Sequence, residues 1–172
     1  ATTGFLTFIS KDDELRDLTF WRLGSLGAAN WPKVIILFII NLVSLSFLLG
    51  NGKALNAMML GEENARHLGI KVKKYHAKII WLSSLVVGAS VAFAGTIAFV
   101  GLIVPYILRL LLGSDYRIIL PLSAVFGSLL LLTADTISRT TLAPIEIPIG
   151  IITAFMGAPV FILILIQFKK AL

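Results

Sequence analysis

The sequence contains no cysteine in 172 residues. A disulfide framework, a thiolate metal site and a cysteine nucleophile are therefore all excluded. Histidine is nearly as scarce. His67 and His76 are the only two, nine positions apart in a basic stretch, and a metal site needs more ligands at closer spacing. Charge is sparse as well, at 14% of residues against about 25% in soluble domains. There is no His-Glu-x-x-His pair, no Gly-x-Ser-x-Gly elbow and no Gly-x-x-x-x-Gly-Lys-Ser/Thr phosphate loop. No catalytic, cofactor-binding or metal-binding residue is assigned on these grounds, and no cofactor is expected. The chain shows no means of hydrolysing a nucleotide itself.

What the sequence has instead is apolar length. Hydrophobic residues make up 58% of it and the mean hydropathy is +0.95. The excess lies in long blocks, which predicts an all-α polytopic transmembrane bundle. About five full spans are expected, plus a partial one at the N-terminus. Residues 1–10 read as the end of a span. Residues 11–30 form an outer segment whose Leu15, Leu18 and Trp21 share one face of a short helix, closed by the glycines at 24 and 27. A span follows over 31–50, and Trp21 and Trp31 suit the headgroup belt. After the polar interval 51–77, spans are expected over 78–94, 97–112, 118–139 and 149–168. From Ile79 to Leu108 no charge occurs, but Gly95 and Gly101 punctuate the run. It is therefore divided by a turn near Gly95-Thr96. The chain starts at Ala1 with no charged region before a short apolar core, so no signal peptide is read. A fragment or a processed chain is expected.

Loop charge orients the bundle. Lys53, Arg66, Lys71, Lys73, Lys74 and Lys78 stand against Glu62 and Glu63 in the central interval, and Lys169 and Lys170 follow the last span. Four basic and four acidic residues balance between Lys11 and Lys33. By the positive-inside rule the central interval and the C-terminus are cytoplasmic, and strict alternation of the spans agrees. The net charge of +6 fits that rule. It does not fit nucleic-acid binding, because the basic residues flank spans and lack interleaved stacking aromatics.

Two groups of charged residues stand out. The first is Gly61–Gly69, which fits a short amphipathic helix. Ala65, Leu68 and Gly69 would take one side, and Glu62, Glu63 and Arg66 the other. Glu62 and Arg66 form an i, i+4 pair, and Gly69 is placed to end the helix. Composition leaves lipid contact and protein docking equally open here. The second is Asp135 with Arg139, again i, i+4 with the acid first. It reads either as a self-neutralising pair at a helix end or as a docking arginine oriented by its neighbour. The guanidinium fork suits a partner's carboxylate. A secondary transporter would want unpaired acids in mid-span, and Asp135 lies at a helix end.

Five ordered motifs then carry a resemblance. They are Phe20-Trp21-Arg22-Leu23-Gly24-Ser25-Leu26, Leu60 through Gly69, Gly95 through Arg109, Leu132 through Arg139, and Ile147 through Ala154 with Gly157-Ala158-Pro159-Val160-Phe161. In these the chain resembles the permease subunits of the iron-siderophore, haem and cobalamin ABC importers, the FecCD-like family. The resemblance implies a ten-span permease of which this is the C-terminal half. It implies a homodimer or heterodimer in a bacterial or archaeal cytoplasmic membrane, with an ATP-binding subunit dimer inside and a substrate-binding protein outside. Glu62, Glu63, Arg66, His67, Leu68 and Gly69 would couple to the ATPase. Arg139, with Asp135, would meet the binding protein. An iron-siderophore or related metal chelate would be the cargo. Haem or cobalamin import by the same architecture, or a non-transporting membrane scaffold, is the alternative. The family usually has Pro-His where this chain has Pro105-Tyr106. Tyrosine takes no proton near neutrality, so any role of that histidine is not carried over.

Overall fold

The structure, a computed structural model, describes residues 12–141 and 147–171. Among the described residues there are eight helices and no strand: α1 (Asp12–Leu23), α2 (Trp31–Leu49), α3 (Gly52–Met59), α4 (Glu62–His67), α5 (Val72–Ala94), α6 (Val100–Leu112), α7 (Tyr116–Thr140) and α8 (Ile149–Ala171). The span end expected at Ala1–Ser10, most of the loop before Pro148 and the side chains of Lys169 and Lys170 lie outside what is described.

Among the described residues four helices are long and apolar enough to cross a membrane: α2, α5, α7 and residues Ile149–Ile166 of α8. Their boundaries have local causes. Asn30 caps α2 by accepting the Lys33 N–H at 3.1 Å, with Pro32 in the first turn, where its missing donor costs nothing. Asp115 caps α7 by accepting the Arg117 N–H at 2.9 Å. Gly24, Gly61, Gly69, Gly95 and Gly113 take positive φ at element ends, where a side chain would be strained.

Two helix starts differ most from the sequence expectation. α5 begins at Val72, six residues before the first apolar run, because nothing in Val72–Lys78 breaks a helix and lysine is a good helix former. α6 begins at Val100, later than the expected 97, because residues 95–99 are not helical, with Gly95 and Phe99 at positive φ. α6 therefore has 13 residues. At 1.5 Å per residue it is about 20 Å long, short of a hydrocarbon core of about 30 Å.

The buried residues concentrate where α6, α7 and α8 meet: Ile103, Val104 and Leu108, Ile119 and Ala134, Ile149 and Thr153. α2 packs on α5, and α3 packs on α4 and on the start of α7. Most large apolar side chains face outward instead, Trp31, Trp81, Leu111 and Phe155 among them. In water such a surface would be untenable. In a bilayer the tails are as apolar as leucine, so helices associate by close packing and small residues, not by hiding hydrocarbon.

Candidate functional site

The polar end of the bundle is built from α3, α4 and the α6–α7 turn. α3 and α4 follow the first span as two short helices separated by Leu60-Gly61. They are too short and too polar to be stable alone, so tertiary contacts must hold them. Asn56 on α3 supplies the central one. Its side-chain amide donates to Asp115 Oδ1 at 2.6 Å, and its amide oxygen accepts the Tyr116 N–H at 2.8 Å. One asparagine thus satisfies both the capping carboxylate of α7 and a backbone donor in that helix's first turn. The Asn56 hydrogen bond, then the Arg117 N–H, hold the Asp115 carboxyl below its ordinary value, because both favour the ionised form. Gly52 lets the start of α3 approach closely, since a Cβ there would stand 3.1 Å from the Arg117 backbone. Tyr75 donates to the Asn51 side chain at 2.6 Å. Arg109 closes the turn by donating to the Tyr116 hydroxyl at 3.0 Å. Asn51 and Asp115 read in the sequence only as a span end and part of a polar turn, and Asn56 and Tyr75 carried no signal. The signal for Asp115 was its position one residue before a long apolar helix, the N-cap place for an aspartate. No sequence signal pairs it with Asn56, 59 residues away.

α4 stands on this base. Ala65 is fully buried. Gly69 takes φ 80 beyond the helix end, with its N–H on the Arg66 carbonyl at 2.9 Å and the Ile70 N–H on the Ala65 carbonyl at 3.1 Å. That is the left-handed termination expected of a glycine there. The face assignment needs correcting. Leu68 does not share the burial of Ala65 but is 66% exposed, although its N–H still bonds the Asn64 carbonyl at 3.1 Å. Glu62 holds Arg66 at 3.5 Å and lies 4.0 Å from His76 Nδ1, all three well exposed. Glu63 and His67 are exposed too. The expected coupling residues are thus one exposed knob: an acidic first turn, a basic last turn and a leucine at its tip. Arg66, Lys71, Lys73 and Lys74 line a cavity of about 280 Å³ beside it, with Ile70 and Val72. Among the described residues no group of three or more His, Cys, Asp or Glu is arranged to hold a metal ion.

The second predicted pair lies at the far end of α7. Arg139 Nε donates to Asp135 Oδ2 at 3.0 Å, with the arginine side chain 43% exposed. The two sites are not brought together. From Asp115 to Arg139 the helix rises about 36 Å, so they stand at opposite ends of one span. Next to Arg139, the Ser138 hydroxyl donates to the Ile147 carbonyl, and the Ile149 N–H donates to the Gly24 carbonyl at 3.1 Å. These bonds tie the end of α7 to the start of α8 and to the end of α1.

Comparison with known proteins places this arrangement. The model of the FecCD transport family matches residues 1–167. The chain belongs to that family. It is 40% identical over 170 residues to the hemin transport system permease protein HmuU of Yersinia pestis, covering 99% of this chain and 51% of that protein. It is 42% identical over 167 residues to the vitamin B12 import system permease protein BtuC of Vibrio cholerae serotype O1, covering 97% of this chain and 50% of that one. A solved chain described as an inward-facing conformation of a metal-chelate type ABC transporter superposes with a TM-score of 0.87 at 35% identity, over 95% of this chain and 53% of its own. The FecCD chain therefore spans about half the length of the curated relatives it matches. The family and the all-helical membrane bundle are as the sequence motifs implied.

Proposed function

We propose that the chain is the C-terminal half of the permease subunit of an ATP-driven importer that carries an iron-siderophore or related metal chelate into the cytoplasm. The observation that carries this reading is the exposed α4 knob, packed on α3, which Asn56 in turn clamps to the Asp115 turn, at one end of a family-matched bundle. A short helix that is exposed on its outer side yet packed between α3 and the span α5 suits the transmission of force. In this reading Glu62, Glu63, Arg66, His67, Leu68 and Gly69 grip an ATP-binding subunit, which supplies the hydrolysis this chain has no residues for. Arg139, oriented by Asp135, meets an acidic residue of an extracytoplasmic binding protein. Engagement at each end of α7 would bias a bundle that alternates its access. Two permease subunits would form the pore in a cytoplasmic membrane.

A second reading differs only in cargo. The relatives named for hemin and vitamin B12 import support haem or cobalamin as the substrate. The test is uptake into proteoliposomes holding the full-length permease and its ATPase subunit, with a ferric siderophore, hemin and cobalamin offered separately. ATP-dependent accumulation of the siderophore supports the first reading. Accumulation of hemin or cobalamin alone supports the second. No accumulation, together with no co-purifying ATPase, would leave a membrane scaffold.

A further inference from the structure

α6 is too short to cross, and the residues before it make up the difference. After α5 ends at Ala94, residues 95–99 run alongside the first two turns of α8. A Cβ on Gly150 would stand 3.5 Å from the Thr96 carbonyl oxygen, and one on Gly157 would overlap the Phe99 side chain. Gly150 and Gly157 are about 10 Å apart along α8, so the segment descends by roughly that depth beside a membrane-length helix. It is fixed there. The Thr96 hydroxyl donates to the Arg22 carbonyl, Gly24 and Gly95 turn with positive φ, and Phe99 is held at φ 67, an outlier for a bulky residue. Its ring meets Phe161 edge-on at 6.5 Å.

Non-helical backbone at this depth has a hydrogen-bond problem. The Gly95 N–H donates to Val91 and the Thr96 N–H to Trp21. The N–H groups of Ile97, Ala98 and Phe99 have no partner among the described residues. Thr96 and Ala98 are exposed while Gly95 is buried and Ile97 and Phe99 are half-buried. Hydrocarbon does not tolerate such a row of unpaired donors. Irregular backbone in a membrane protein either packs inside protein or faces a water-filled cavity.

We propose that Gly95–Phe99 lines the aqueous translocation path, with Thr96 and Ala98 on its wet face; the assignment rests on the transport reading above. The segment carries no charge. It offers three amide donors, which would meet the oxygen acceptors of a passing polar solute without retaining it by charge. Phe99 and Gly157 are positioning residues that seat the segment against α8.

The absence of cysteine makes the test direct. Thr96→Cys and Ala98→Cys are placed singly in a full-length permease free of other cysteines, in proteoliposomes exposed on both sides to a charged, membrane-impermeant methanethiosulfonate. Trp81→Cys, in the unbroken helix α5, is the reference. Water-exposed thiols ionise and react, so both variants should label about tenfold faster than the reference, and labelled Ala98→Cys protein should lose uptake. Ala98→Cys replaces a side chain that makes no hydrogen bond, so it reports even where Thr96→Cys disturbs the Arg22 contact. Labelling of both as slow as Trp81→Cys would overturn the wet face. Fast labelling with full uptake would overturn the path assignment. Failure of the transport reading is seen separately, as absence of uptake by the unlabelled parent.

Discussion

Gly157 has no room for a methyl group, because a Cβ there would meet Phe99 side-chain carbons and lie 3.0 Å from Ile103. Gly157→Ala overpacks this contact, and such changes cost about 1–3 kcal/mol. A lowered thermal midpoint in detergent, with Gly88→Ala unchanged as control, is the expected outcome. Gly88 is helical with nothing within 4 Å of a Cβ. Asp115 gives a second expectation at this scale. Its pKa is lowered on folding, first by Asn56. A depressed carboxyl contributes stability that is present above the unfolded value, about 3.9, and is lost as pH falls through the folded value. A carboxyl-carbon NMR titration should give a midpoint below the ordinary 3.8, and Asn56→Ala should move it upward. A midpoint that ignores the substitution would remove Asn56 as the cause.

Among the elements, α4 is held through its ends rather than by its own length. Six residues make too few internal hydrogen bonds to persist alone. Gly69→Val would put a β-branched residue at φ 80, a conformation it resists. The expected result is a frayed α4, seen as faster amide exchange at Ala65 and Ile70, with α5 unchanged. The helix and its glycine stop were legible in the sequence because i, i+4 charges and a terminal glycine are local signals. The outward Leu68 was not, since which turn of a short helix is covered is set by tertiary contacts and not by its periodicity. The non-helical 95–99 segment was seen only as a turn near Gly95. Its length is set by Gly150 and Gly157 on α8, more than 50 positions later, and no local pattern encodes that contact. The clamp of α3 by Asn56 was missed for the same reason.

For the whole molecule, the FecCD family and the membrane bundle were readable because composition and five ordered motifs agree. The pairing of short helices with the α6–α7 turn required coordinates. In the proposed importer Arg139→Glu should weaken binding-protein association while leaving membrane insertion intact, as measured by co-purification and by protease protection. Unchanged association and uptake would remove Arg139 from the docking surface. Deleting Glu62–Gly69 should abolish retention of the ATP-binding subunit. The most direct measurement is a cross-link from the tip of α4. Leu68 is 66% exposed, and this sequence offers no competing thiol. Leu68→Cys in a full-length permease, treated with a short thiol-reactive photo-cross-linker in the assembled complex, should form an adduct with the ATP-binding subunit. Thr140→Cys at the opposite end of α7 should not. An adduct from Thr140→Cys and none from Leu68→Cys, in a complex that still contains the ATP-binding subunit, would contradict the coupling role of α4.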